Sequence, residues 1–290
     1  MKLNKNTKIL IVGLGLIGGS YAEALSAKGY QSGAIDTQKS SIDFALEKGW
    51  IQSGRTEVEK DYVSKFDIIV FALYPHLLVE WIEKYQSYFK SGALITDVTG
   101  VKGSVVGKVQ SILRADVEFV GAHPMAGRET SGIESANARI FESANYIVTP
   151  TSKNTEENIE TCKALGRELG FERISELSPE AHDEVVGFLS HLTHCIAVSL
   201  MVCKDNEHLA EYTGDSFRDL TRIAKINDEM WSELFLANKS ELVAQMELFE
   251  KQFDDLKQAI ISEDREKIRK TMRLSTERRK TFDKDAQEKK

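Results

Sequence analysis

Gly13-Leu14-Gly15-Leu16-Ile17-Gly18 follows the apolar run Lys8–Val12 and leads into a helix-forming stretch that ends near Lys28. Each glycine of such a turn has its own task. Gly13 permits the tight reversal, Gly15 lets the backbone approach a pyrophosphate, and Gly18 allows the helix to pack closely on the strand. The main chain of Leu14, Leu16 and Ile17 then surrounds a helix N-terminus whose N–H groups and partial positive charge suit phosphate. Asp36 lies 23 residues beyond Gly13, at the end of a second strand candidate. A carboxylate there accepts hydrogen bonds from an adenosine ribose and repels a 2′-phosphate. No arginine follows it in the next few residues. The pattern calls for NAD rather than NADP.

A second group of residues could move a proton. Gly121-Ala122-His123-Pro124-Met125-Ala126-Gly127-Arg128-Glu129 follows a strand, so His123 is expected at the carboxyl edge of the sheet, where ligands bind in this architecture. A histidine there can take a proton from a hydroxyl while hydride leaves the same carbon. His191 and His194 stand three apart on an otherwise apolar helix, so burial demands partners for their nitrogens. For His191 a satisfied core role is expected, and for His194 a substrate contact. His182, His191 and His194 do not make a metal set: only the last two share a helical face, and no carboxylate or thiol completes a site. No metal is expected. Cys162, Cys195 and Cys203 form no CxxC pair and read as reduced, mostly buried small residues.

These groups must be positioned by an alternation of short β-rich runs and helices. The strand candidates are Lys8–Val12, Gln31–Ile35, Asp67–Leu73, Ala93–Asp97, Glu118–Ala122, Asn145–Thr149 and Glu172–Glu176. Unbroken apolar runs such as Ile68–Phe71 suit strands covered on both faces, which predicts a doubly wound, Rossmann-type α/β domain over residues 1–177. Asn154, with Glu157 three residues on, is a candidate helix start. Ser178-Pro179 starts a helix too, and beyond it the pattern is all-helical, which predicts an all-α second domain over residues 178–290. Val185, Phe188, Leu189, Leu192, Ile196, Leu200 and Cys203 recur at helical spacing in a segment apolar nearly all round, the pattern of a buried helix. Leu242, Met246, Phe249, Phe253, Leu256 and Ile260 form a seam for a partner helix.

A net charge of −7 argues against nucleic acid as a partner. The run Arg265–Lys290 carries 11 Lys/Arg against 5 Asp/Glu, which suits a solvated last helix complementing its own dipole. No stretch is expected to match the roughly 20 apolar residues of a membrane helix, and the polar N-terminus holds no signal-peptide core. The expectation is a cytoplasmic protein with no membrane partner.

The glycine turn, the His123–Glu129 run, His182-Asp183, Ser190-His191-Leu192-Thr193-His194 and Phe217-Arg218-Asp219-Leu220-Thr221-Arg222-Ile223-Ala224 occur in this order. Together they resemble the prephenate dehydrogenase family, which includes arogenate dehydrogenases, over Lys8 to about Phe253. The resemblance implies oxidative decarboxylation of prephenate to 4-hydroxyphenylpyruvate with hydride transfer to NAD⁺, in tyrosine biosynthesis. It implies that His123 accepts the proton of the ring hydroxyl, Arg222 binds a substrate carboxylate, and His194 lies near the pyruvyl side chain. Ser190 and Asp219 belong to the same substrate-binding set, with Asp219 orienting its neighbours. Glu129 resembles a gating carboxylate, and Trp231 a tryptophan presented near the partner subunit's site of a homodimer that pairs through the helical domain. Where the family usually has a serine two residues before a lysine, this chain has Gly100 before Lys102, leaving Thr99 as a candidate source of the hydroxyl. The competing possibilities are an arogenate dehydrogenase giving tyrosine directly, a β-hydroxyacid dehydrogenase, and a non-catalytic NAD-binding module. The helical domain is expected to be the last, with no separate regulatory domain after it.

Overall fold

The computed structural model describes residues 2–128, 130–204 and 208–282. Two compact units are present, Met1–Lys239 and Ser240–Lys290. In the first, β1 (Lys8–Val12), β2 (Gln31–Ile35), β3 (Ser53–Arg55), β4 (Ile68–Phe71), β5 (Leu94–Asp97) and β6 (Glu118–Phe119) form a parallel sheet ordered β3-β2-β1-β4-β5-β6. The connections carry α1 (Leu16–Ala27), α2 (Lys39–Glu47), α3 (Lys60–Val63), α4 (Pro75–Tyr85) and α5 (Gly103–Ile112). Successive residues of β1 serve opposite faces. Ile9 and Ile11 join Tyr21 and Leu25 of α1 in one core, while Leu10 and Val12 join Tyr62, Leu78, Ile82 and Val105 in the other. The winding direction reverses between β1 and β4, and the crevice at the carboxyl end of that switch is where such sheets take ligands.

The chain then leaves this sheet. β7 (Gly121–Pro124), β8 (Asn145–Thr149) and β9 (Arg173–Glu176) make a separate three-stranded sheet, with β7 antiparallel and β9 parallel to β8. The expected single strand Glu118–Ala122 is therefore two. Val120 still donates its N–H to Ile95 O at 2.9 Å, after which the backbone turns to pair with β8. β3 escapes a pattern search because Ser53-Gly54-Arg55 has no apolar run; a Cβ on Gly54 would lie 2.4 Å from Ile42 Cγ2 of the covering helix. α6 (Glu156–Glu168) is capped by Thr155, whose side chain accepts from Asn158 N. That is one residue later than expected, because Asn154 Oδ1 is taken by Thr151 N at 2.9 Å.

Ser178 caps α7 (Pro179–Val186), accepting from Ala181 N at 3.2 Å. A π-helical turn, Gly187–Leu192, joins it to α8 (Thr193–Val202). Two expectations fail on this run. The segment is not buried: Phe188 is 54% and Val202 77% exposed, because the apolar pattern runs all round the helix and the chain covers one side of it. By length and composition Pro179–Val202 is also apolar enough to cross a membrane, contrary to expectation, although three histidines interrupt it. Cys203 likewise is exposed, whereas Cys162 is buried and its thiol is pushed up to about 11 by burial.

α9 (Asp215–Thr221) and α10 (Asp228–Ala237) complete the first unit, and Leu234 of α10 joins the core on the second face of the sheet. The second unit comprises α11 (Lys239–Ile261), which starts at the boundary, and α12 (Arg265–Lys280). The expected seam falls on α11, where Phe253 and Ile260 are exposed. α12 has no buried residue and carries Arg278, Arg279 and Lys280 in its last turn, at the negative end of its dipole. Among the described residues beyond Leu177 there is no strand.

Candidate active site

The glycine turn is shaped by close contacts. Gly13 adopts φ +95°, and a Cβ there would lie 2.4 Å from Ala72 O of the neighbouring strand end. A Cβ on Gly18 would lie 1.9 Å from Gly13 O, so α1 packs directly on the turn. Nothing stands within 4 Å of a Cβ on Gly15, which leaves the main chain open there. No side chain caps the N-terminus of α1. Open backbone at Gly15 and uncapped N–H groups from Leu16 and Ile17 onward make a cradle that fits a pyrophosphate. Asp36 Oδ2 accepts from Leu14 N at 2.6 Å and Oδ1 from Gln38 N at 2.7 Å. The carboxylate thus fixes the turn. β3 also brings an arginine that sequence distance concealed: Asp36 N donates to Arg55 O at 3.2 Å.

The second constellation forms where β5, β7, α5 and α7 meet. Asp97 ends β5 and is fully buried, as is Lys102, and Lys102 Nζ lies 2.5 Å from Asp97 Oδ2. Asp97 Oδ1 also accepts from Ala122 N at 3.0 Å, which ties the start of β7 to the end of β5. Burial lowers the Lys102 pKa, with the Asp97 carboxylate opposing that shift. Thr99 is buried within this cluster. Its hydroxyl is taken by Asp97, by Val101 O at 2.9 Å and by Lys102 Nζ at 3.1 Å. Its proton goes to the two acceptors, Lys102 donates to one lone pair, and the side chain is buried, which corrects the expectation that Thr99 contacts substrate. The position that faces His123 is Gly100, where a Cβ would lie 3.9 Å from His123 Cε1 and 3.3 Å from Leu234 Cδ2.

His123, on β7, has its Nδ1 2.8 Å from His182 Nε2. His182 Nδ1 in turn lies 2.7 Å from Asp183 Oδ1. Both oxygens of Asp183 accept from the first N–H groups of α5, Lys102 N and Gly103 N, each at 2.8 Å. Burial, with His182, Lys102 and His191 nearby, holds the His123 pKa well below that of a free imidazole, so it is neutral at pH 7. His123 thus lies within a strand of the second sheet rather than at the carboxyl edge of the parallel one, beside Gly100 just after β5, and a neutral imidazole there can accept a proton.

The remaining candidates sit on the helices. His194 donates from Nδ1 to Ser190 O at 2.8 Å, and its ring stacks on Trp231 with centroids 3.6 Å apart. Trp231 therefore meets a histidine of its own chain. His191 is buried, with Nδ1 3.2 Å from Asn238 Nδ2, as expected for a core role. The same Asn238 amide donates to Asp183 O at 2.9 Å. α10 is fixed by Glu233, whose carboxylate accepts from His76 N at 2.8 Å and meets His76 Nδ1 at 2.7 Å. Asp219 and Arg222 are exposed on α9 and the short turn after it, and that turn packs on α8, the helix of His194. Glu129 lies outside the described residues. Among the described residues no cluster of three or more potential metal ligands occurs. Sequence reasoning gave no role to Asp97, Lys102, His182, Asp183 or Asn238; the signal was a His-Asp pair in the first turns of a Ser-Pro-capped helix.

Known proteins share this sequence and fold. The family described as prephenate dehydrogenase, nucleotide-binding domain, matches residues 21–174, and that described as prephenate dehydrogenase, dimerization domain, matches 178–274. A prephenate dehydrogenase of Bacillus subtilis is 32% identical over 267 residues, covering 90% of this chain and 72% of that protein. A cyclohexadienyl dehydrogenase of Zymomonas mobilis is 29% identical, over 88% of this chain and 89% of its own length. The crystal structure of prephenate dehydrogenase from A. aeolicus, in complex with hydroxyphenyl propionate and NAD⁺, superimposes with a TM-score of 0.87 at 32% identity, covering 96% of this chain and 98% of that one. The chain belongs to the prephenate dehydrogenase family.

Proposed function

We propose that this protein is an NAD-dependent oxidoreductase that converts prephenate to 4-hydroxyphenylpyruvate and CO₂ in tyrosine biosynthesis. The observation that carries the proposal is His123: a neutral imidazole on β7 beside Gly100, tied through Nδ1 and left with Nε2 as proton acceptor. The name of the Bacillus relative and the NAD⁺ held by the A. aeolicus enzyme support the choice of substrate and cofactor. Gly13–Gly18 would hold the pyrophosphate and Asp36 the adenosine ribose. Bound NAD⁺ accepts the hydride from the carbon that carries the ring hydroxyl.

The chain's own residues supply the rest. His123 takes the hydroxyl proton at Nε2 as the hydride departs and returns it to the phenol oxygen once CO₂ has left. No net proton is released, and aromatisation drives the reaction forward. Arg222 binds a carboxylate through its guanidinium fork, and His194 lies near the pyruvyl group. Ser190 and Asp219 hold these two in place, and Glu129 keeps the gating role that the family resemblance implies. Orientation and fixed charge are sufficient for such a reaction.

The functional unit in this proposal is a homodimer formed through residues 178–290, with 1–177 as the dinucleotide-binding domain. Exposed Phe188, Val202 and Phe253 favour it, being apolar surface that a second copy would cover. The proposal places the enzyme in the cytoplasm, acting on small molecules without membrane or nucleic-acid partners. The test is NADH formation by the purified protein from NAD⁺ with prephenate or arogenate. Turnover of prephenate at the higher kcat/KM is expected. A clear preference for arogenate would reassign the substrate, and NAD⁺ binding without turnover of either would overturn the proposal.

A further inference from the structure

We infer that His182 and Asp183 are positioning residues for the proton acceptor. Together they fix the tautomer of His123 and stabilise the positive charge it acquires. The inference rests on the assignment of His123 as base. It follows from counting protons along one line of hydrogen bonds. Asp183 Oδ1 is an acceptor, so the 2.7 Å contact to His182 Nδ1 requires the proton on Nδ1. His182 Nε2 then has only a lone pair, and the 2.8 Å contact to His123 Nδ1 requires the proton on His123 Nδ1. The lone pair of His123 is thereby assigned to Nε2. Reversing any link sets two donors or two acceptors face to face.

Asp183 is itself held in place. Its oxygens accept from Lys102 N and Gly103 N at the start of α5, where the helix dipole favours negative charge, and Asn238 Nδ2 donates to its carbonyl. A Cβ on Gly103 would lie 2.9 Å from Asp183 Oδ2, so the carboxylate sits directly on that helix end. His182 is fully buried, and the Asp97–Lys102 ion pair beside the chain balances its own charges. The carboxylate can therefore support an imidazolium at His123 across His182 without any proton leaving His123. A buried line of this kind, with each atom in one role, acts in the transition state rather than in substrate binding.

The experiment combines imidazole ¹⁵N NMR of the ligand-free protein with steady-state kinetics of His182→Leu and His182→Gln. Glutamine can accept from His123 through its amide oxygen and donate to Asp183 through its amide nitrogen; leucine can do neither. Native His123 should carry its proton on Nδ1. In His182→Leu the Nδ1 form should lose its dominance, kcat should fall by about 10²-fold, and the KM for prephenate should stay within about threefold. His182→Gln should keep the Nδ1 form and recover about tenfold of the lost kcat. Native His123 protonated on Nε2 would overturn the inference, even if neither variant folds and whatever substrate the enzyme takes. So would a leucine variant with native kcat, or a glutamine variant no better than leucine. Failure of the native protein to turn over prephenate would instead strike the assigned reaction and leave the NMR result standing.

Discussion

The cluster around His123 and the segment Asp215–Ala224 both carry residues assigned to the substrate, yet they treat polar groups in opposite ways. Around His123, Asp97, Thr99, Lys102, His182 and Asp183 are buried and joined by hydrogen bonds within one chain. In Asp215–Ala224, Asp219 and Arg222 are exposed, beside Phe217 and Leu220, which are exposed as well. In the proposed reaction the proton chemistry is built into the folded chain, and anchoring of the substrate would fall to this more exposed surface. Substitutions in the first region should damage stability or kcat, and those in the second should damage binding.

Lys102→Met should have the largest effect. It strands the buried Asp97 carboxylate, a loss of about 3–5 kcal/mol in urea or thermal unfolding. A loss under about 1 kcal/mol would mean that the network is not the rigid half of the comparison. Arg222→Ala should leave stability nearly unchanged and raise the KM for prephenate by an amount worth about 1.5–3 kcal/mol, with a smaller change in kcat. An effect confined to kcat would move Arg222 into the preorganised half.

At the cofactor end, native kcat/KM should favour NAD⁺ over NADP⁺ by at least about tenfold. Asp36→Ala should narrow that gap and weaken NAD⁺ binding, because the carboxylate also holds Leu14 N. Equal native use of both cofactors would remove the discriminating role of Asp36.

A last effect is one of pH on stability. Burial lowers His191 to about 4, with Asp183 opposing and His182 and His194 adding to the shift. An unfolded histidine titrates near ~6.5, so between these values the unfolded chain binds more protons than the folded one. Stability should therefore be full above about pH 6.5 and decline as pH falls toward 4. Urea midpoints that stay constant over that window would contradict the buried, neutral state of His191.

The glycine turn, the strand runs and His123 were legible in the sequence because each rests on neighbours within a few residues. β3 was not, since Ser53-Gly54-Arg55 lacks an apolar run and earns its place as an edge strand by pairing with β2. Nor was the departure of β7 from the parallel sheet, since the run through Val120 to Ala122 reads as one strand until β8 competes for it. The partners of His123 and Lys102 lie 59 and 81 residues away, in His182 and Asp183. Only the fold brings them together. Thr99 failed as a substrate contact for the same reason: the buried Lys102 and Asp97 claim its hydroxyl first. In the helical segment the apolar period was legible, but which side the chain leaves uncovered was not.

The central claim is that His123 receives the proton, and kcat against pH for native enzyme and His123→Asn tests it most directly. Burial and its neighbours hold His123 well below an ordinary histidine, so its basic form persists as pH falls below ~6.5. Native kcat should therefore stay level through neutral pH and decline only well into the acid range. His123→Asn keeps a hydrogen-bonding side chain without a base. It should lower kcat by about 10²-fold or more, with little change in KM, and its residual activity should lack the acid limb. Near-native kcat in His123→Asn, or the same acid limb in both proteins, would show that another group takes the proton.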